Sequence, residues 1–153
     1  MDQSKIICID SETTGFYPGD DEILQLSIID GDYRTLFNEY IRPGQKAEWP
    51  EAEKVNQISP EMIADKPTIQ HWLPQLNEIF SQAEVIVGYN LPFDLGFLRA
   101  AGVNVDNDSK QYIDVMRDFA PIYGEYSEHT DSYKWQKLST CAAYYGYQPD
   151  GTF

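Results

Sequence analysis

Two carboxylates stand two residues apart at the end of an apolar run, in Ile6-Ile7-Cys8-Ile9-Asp10-Ser11-Glu12. In an extended strand, residues i and i+2 project to the same face. Asp10 and Glu12 would then stand side by side, about 7 Å apart at the backbone. Like charges held that close raise each other's pKa. A hard cation such as Mg²⁺ or Mn²⁺ relieves the repulsion, and carboxylate oxygens are the ligands it prefers. A solvated turn after a strand looks the same, so the pair alone decides nothing. Thr13-Thr14-Gly15 follows at once, with hydroxyls and adaptable backbone suited to a phosphate or sugar end. A third acid, Asp94, comes shortly after Gly88-Tyr89-Asn90. It falls in the first turn of an expected helix, where the dipole favours an acid whatever its function. Asn90 reads equally as a turn residue or an N-cap.

These groups need elements to hold them. No internal repeat, low-complexity tract or Ser/Gly linker divides the 153 residues, so residues 1–153 read as a single domain. The β-branched run at 5–10 predicts a central strand. Residues 21–30 alternate, with Leu24, Leu26 and Ile28 on one face and Gln25 and Ser27 on the other. Asp30-Gly31-Asp32 signals a hairpin, and the chain returns with Tyr33, Thr35 and Phe37 alternating against Arg34 and Asn38. Helical spacing follows at Ile69, Trp72, Leu73, Leu76 and Phe80, with Thr68 as N-cap. Pro74 requires either a kink or a start nearer His71. A fourth strand at 84–90 leads into a helix ending at Gly102; a short strand at 111–115 leads into another ending at Gly124. The last helix is expected over 134–146, with Trp135, Leu138, Ala142 and Tyr145 on one face and Gly146 as C-cap. A three-strand meander followed by alternating helices and strands is an α/β fold with a mixed sheet and flanking helices. Ligand sites in such sheets gather at strand ends.

The formal net charge is −14. That argues against a general nucleic-acid binder, which shows a basic face. It leaves two readings: solvated surface, or carboxylates gathered where a cation binds. Cys8 and Cys141 are the only cysteines; both read as small core hydrophobes, and they provide neither a disulfide framework nor a zinc cluster. The N-terminus lacks the basic-then-apolar pattern of a signal peptide. No apolar run approaches the roughly 20 residues a membrane helix needs. The expectation is a soluble, cytoplasmic protein with no membrane partner.

Taken together, the motifs resemble the DEDD superfamily of 3′→5′ exonucleases, in particular the proofreading-type family of the DNA polymerase III epsilon subunit. Ile9–Gly15, "IDSETTG", resembles the family's first motif, and "GYNLPFDLGFL" its second. The intervening "DEILQLSIID", "YIRPGQ", "VNQISPEMIADKPT" and "YIDVMRDFA" are similar to the family's spacers, so the likeness spans essentially the whole chain. The resemblance implies an RNase H-like fold with a mixed five-stranded sheet. It implies hydrolysis of phosphodiester bonds from the 3′ end by two metal ions, Mg²⁺ or Mn²⁺. Asp10 would bridge both metals, Glu12 would complete the site of the nucleophile-activating one, and Asp94 would hold the second. Backbone around Thr13, Thr14 and Gly15 would meet the terminal nucleotide. Phe16 and Phe93 are candidate stacking or wedge residues, each readable as plain core, and Asn90 would steady the site. Single-stranded 3′ ends, DNA favoured, are the implied substrate, and a polymerase an implied partner.

The resemblance breaks in two places. The family's third motif, a histidine followed by an aspartate five positions on, is expected just beyond Phe153, so the general base is not in this chain. That predicts a C-terminally shortened exonuclease with impaired activity; a catalytically silent binding module and an oligoribonuclease-like RNA-trimming enzyme are the alternatives. Asp150 reads as a turn residue, and His71 and His129 as solvent-facing. Tyr89 stands where histidine is common in the family.

Overall fold

The computed structural model describes residues 2–148. Strands β1 (Ile6–Thr13), β2 (Ile23–Asp30) and β3 (Thr35–Tyr40) form the expected antiparallel meander. β4 (Val85–Gly88) lies parallel to β1 on its other side, and β5 (Gln111–Asp114) parallel to β4, giving the order β3-β2-β1-β4-β5. This is the predicted mixed five-stranded sheet.

Strand parity decides what faces the core. Ile7 and Ile9 of β1 are buried with Leu26, Ile28 and Phe37 of the meander. Against them pack Leu76 and Phe80 of α3 (Ile69–Gln82) and Leu91, Leu95, Phe97 and Leu98 of α4 (Leu91–Ala100). The opposite parity of β1 carries Cys8, Asp10 and Glu12. Cys8 is therefore exposed rather than a core hydrophobe, because it shares the face of Asp10, not that of Ile9. Leu24 joins a second cluster with Trp49, Ile58 and Ile63, built by the short helices α1 (Pro50–Asn56) and α2 (Pro60–Ile63).

Other expectations change in detail. Tyr33 does not belong to β3. It holds a left-handed position (φ 65°) in the turn and is exposed, while the Asp30 carboxylate accepts the N–H groups of Asp32 and Arg34. α3 starts at Ile69 behind Thr68 and runs through Pro74, although the Thr68 hydroxyl makes no capping bond. α5 (Val115–Tyr123) ends at Gly124 as expected. The last described helix, α6, is only Leu138–Tyr144. Residues before it form a small hairpin of β6 (Tyr126–Ser127) and β7 (Ser132–Tyr133), extended by the Lys134 N–H to the Glu125 carbonyl. That pairing keeps the backbone extended past Trp135. Trp135, Leu138 and Tyr145 are consequently exposed and Cys141 is the buried residue of α6. Gly146 closes the helix in left-handed geometry (φ 79°). Asp150 lies outside the described residues. No helix among the described residues is long and apolar enough to cross a membrane.

Candidate active site

The site exists because β4 is short. Its pairing with β1 covers only Ile6, Ile7 and Cys8, so β1 beyond Cys8 has no strand neighbour on that side. The chain leaves β4 through Gly88, where a β-carbon would press on Leu91, and turns at Asn90 in left-handed geometry (φ 62°). The turn is held by the Asn90 N–H, which donates to Asp114 Oδ1 at 2.9 Å. α4 then starts, and its first turn delivers Asp94 to the unpaired flank of β1. There the Ser11 hydroxyl donates to Asp94 Oδ1 at 2.5 Å.

Asp10 and Glu12 sit on the outward face of β1, opposite Ser27 and Gln25 of β2. They form the floor of a cavity of about 800 Å³ whose far wall is α6, with Leu138 and Ala142. Asp94 is buried, at 3% exposure. Burial pushes its carboxyl up to about 7, aided by the charge of Asp10 and opposed by the Ser11 hydrogen bond. Asp10 meets solvent through the cavity, yet the protein around it raises its pKa, the Ser11 N–H countering in part. Glu12 is raised by burial and then by Asp10. None of the ion pairs among the described residues involves these three acids. They are neighbours without forming a closed cage: among the described residues no three acidic, His or Cys side chains enclose a metal position.

The loop after β1 is locked from within. The Thr13 hydroxyl donates to the Gly15 carbonyl at 2.6 Å. The Thr14 hydroxyl donates to Asp21 and accepts the Glu22 N–H, both at 3.0 Å. Asp21 also takes the Tyr17 N–H and pairs with Lys46, and a β-carbon on Gly15 would collide with its carboxylate. The Glu22 carboxylate accepts the N–H groups of Gly44, Gln45 and Lys46. Both threonine hydroxyls thus serve the loop, and so do the Thr14 N–H, which donates to the Glu22 carbonyl at 2.9 Å, and the Thr13 carbonyl, which accepts from the Asn56 side chain at 3.2 Å. Phe16, 77% exposed, is left standing in solvent at the loop's tip. Phe93 is half-buried, 4.9 Å from Phe97 and against the core, so packing accounts for it. Asn90 is exposed. His71 and His129 are exposed as predicted, on α3 and at the β6–β7 tip. The Tyr89 hydroxyl donates to the Gln136 carbonyl at 2.5 Å, tying the segment before α6 to the end of β4.

The family model for the RNase T type of exonuclease matches residues 7–152. This chain belongs to that exonuclease family. It is 31% identical over 141 residues to a DNA polymerase III subunit epsilon-like protein of Rhodobacter capsulatus, covering 85% of this chain and 19% of that protein. It is 32% identical over 117 residues to the DNA polymerase III subunit epsilon of Pasteurella multocida, covering 67% of this chain and 45% of that one. The chain therefore spans less than half the length of either relative. Its fold matches E. coli exonuclease I in complex with a dA16 oligonucleotide, with a TM-score of 0.71 over 94% of this chain and 36% of that one. At 17% identity this is a likeness of fold.

Sequence reading missed Ser11, Asp21 and Glu22. Ser11 had a signal, since a residue between two same-face ligands must point elsewhere. The two acids had none: each works through backbone N–H groups that only the folded chain brings near.

Proposed function

We propose that this exonuclease-family chain binds the 3′ end of a single strand, DNA in preference to RNA. There it hydrolyses the terminal phosphodiester with divalent cations, Mg²⁺ or Mn²⁺, at Asp10, Glu12 and Asp94. The observation that carries the reading is a deficit of positive charge. Three adjacent carboxylates, one of them buried, have no cationic side chain in ion-pair range among the described residues. Their all-oxygen donor set suits a hard cation. An open arrangement also suits Mg²⁺, which takes one or two carboxylates and fills its remaining positions with water and substrate phosphate.

Cations bound there would lower the pKa of an attacking water and stabilise the charge on the departing 3′ oxygen. The protein's part is placement. Asp10, flanked by Glu12 and Asp94, is the carboxylate able to serve two ions. The main chain of the locked 13–15 turn meets the sugar-phosphate end, and Phe16 offers a face to the terminal base. The named relatives support a polymerase partner, and the dA16 complex of the fold neighbour supports a single strand. With a net charge of −14, strand binding should follow divalent metal more than monovalent salt.

Among the described residues neither histidine stands at the site, which favours a second reading: strand binding with little or no turnover. Both are tested with Mn²⁺ binding followed by electron paramagnetic resonance and with release of mononucleotide from a 3′-labelled single strand. Wild-type protein is expected to bind Mn²⁺. Asp10→Ala should lose that binding and any mononucleotide release should fall ~1,000-fold or more. Equal Mn²⁺ binding by Asp10→Ala would overturn the proposal, and Mn²⁺-dependent strand binding without release would leave the second reading.

A further inference from the structure

The serine between the two strand carboxylates has no part in the proposed reaction as described so far. Its neighbours Asp10 and Glu12 face the cavity, and alternation sets the Ser11 side chain on the other parity although Ser11 also lines the cavity. On an ordinary strand that would send Ser11 toward the core row of Ile7 and Ile9. Here β4 has already ended, and Ser11 meets Asp94 instead. Its hydroxyl is the one side-chain donor that reaches Asp94 among the described residues, at 2.5 Å. At 3% exposure the Asp94 carboxylate pairs with no cationic side chain among the described residues; beside this hydroxyl it is held by the backbone N–H groups of Ser11 and of Asp94 itself.

We infer that Ser11 is a positioning residue, whose hydroxyl holds the Asp94 carboxylate against β1 in the orientation from which Asp94 and Asp10 can share a cation. The inference rests on the proposed metal role of Asp94. Hydrogen-bond partners of metal-ligating side chains set ligand orientation, and their loss commonly weakens metal binding ~10–100-fold. A serine that merely satisfied a buried neighbour would affect folding and not the ion. The hydroxyl, not the side-chain volume, is the element that counts. Threonine and valine share a β-branched shape that suits a strand, and differ in that group.

The test is Mn²⁺ affinity in the absence of substrate, measured by titration for wild type, Ser11→Thr, Ser11→Val, Ser11→Ala and Asp94→Asn, with the metal-free melting temperature of each. Ser11→Val and Ser11→Ala are expected to bind Mn²⁺ about tenfold more weakly, and Ser11→Thr to stay within about twofold of wild type. Wild-type affinity in Ser11→Val or Ser11→Ala, with Asp94→Asn impaired, would overturn the positioning role and leave the metal site standing. Equal weakening in the threonine and valine variants would overturn it as well, because the hydroxyl would then be irrelevant. Unimpaired Mn²⁺ binding in Asp94→Asn would remove the metal role of Asp94 and this inference together. If Ser11→Ala fails to fold, the threonine–valine pair decides.

Discussion

The two walls of the cavity are built on opposite terms. The floor is strand: Asp10 opposes Ser27 and Glu12 opposes Gln25 in antiparallel register. The loop that leaves it is fastened by Asp21 and Glu22 to its own backbone and to residues 44–46. The far wall is α6, seven residues long, with one buried residue and no side-chain N-cap. It is held by Phe119 against Tyr144 and Tyr145, with ring centroids 5.2 and 5.8 Å apart, and by Tyr89 gripping Gln136 just before it. Elements with few buried apolar contacts open first in native-state fluctuations. Asp10 and Glu12 thus stand on a strand paired along its length with β2, and the wall facing them on a short helix with one buried residue.

The contrast is sharpest in its electrostatics. Asp94 ionises at about 7 when folded, against 3.8 for an ordinary aspartate. As pH rises, the unfolded chain releases this proton first. Stability present below about pH 4 is therefore lost as pH climbs through 7, by an amount on the order of 4 kcal/mol. Metal-free protein should melt lower at pH 8 than at pH 5, Asp94→Asn should flatten that slope, and Mn²⁺ should restore the melting temperature at pH 8. A flat profile in the metal-free wild type would show that the floor is not charge-strained.

Ligand binding offers a second comparison. Phe16→Ala should weaken single-strand binding by ~1–3 kcal/mol in a fluorescence anisotropy titration, the usual worth of one aromatic–base stack. Its melting temperature should not change, since the ring is 77% exposed. If Leu138→Ala on α6 costs more affinity than Phe16→Ala, the loosely held wall rather than the locked loop carries the strand. The smallest effect is expected from Tyr89→Phe, which deletes the bond to Gln136 at ~1 kcal/mol. Amide hydrogen exchange should speed up in α6 and stay unchanged in β1 and β2. Equal acceleration in all three would dissolve the distinction between the walls.

Much of this architecture is legible in the sequence. Alternation in 21–30 and helical spacing in 69–80 yielded the meander and α3, because burial on one face leaves a period in the sequence. Asp10, Glu12 and Asp94 are ambiguous by position alone, a strand end and a helix's first turn being ordinary places for an acid; the resemblance of "IDSETTG" and "GYNLPFDLGFL" to the exonuclease motifs is what singles them out. Misreadings came where two local signals competed. Cys8 was assigned by its apolar neighbours when its parity with Asp10 decided its face. The start of α6 was set by helical spacing when the β6–β7 pairing kept the preceding backbone extended.

Residue type and spacing alone were enough for the strand order's first half and the elements carrying the acids, and the motif resemblance for the acids themselves. Folding alone decided that Asp94 would be buried with its pKa near 7, that the threonine hydroxyls would close on their own loop, and that Ser11 would meet Asp94. Each of these depends on where β4 stops beside β1, a relation between residues some 80 positions apart in the chain that leaves no local period to read.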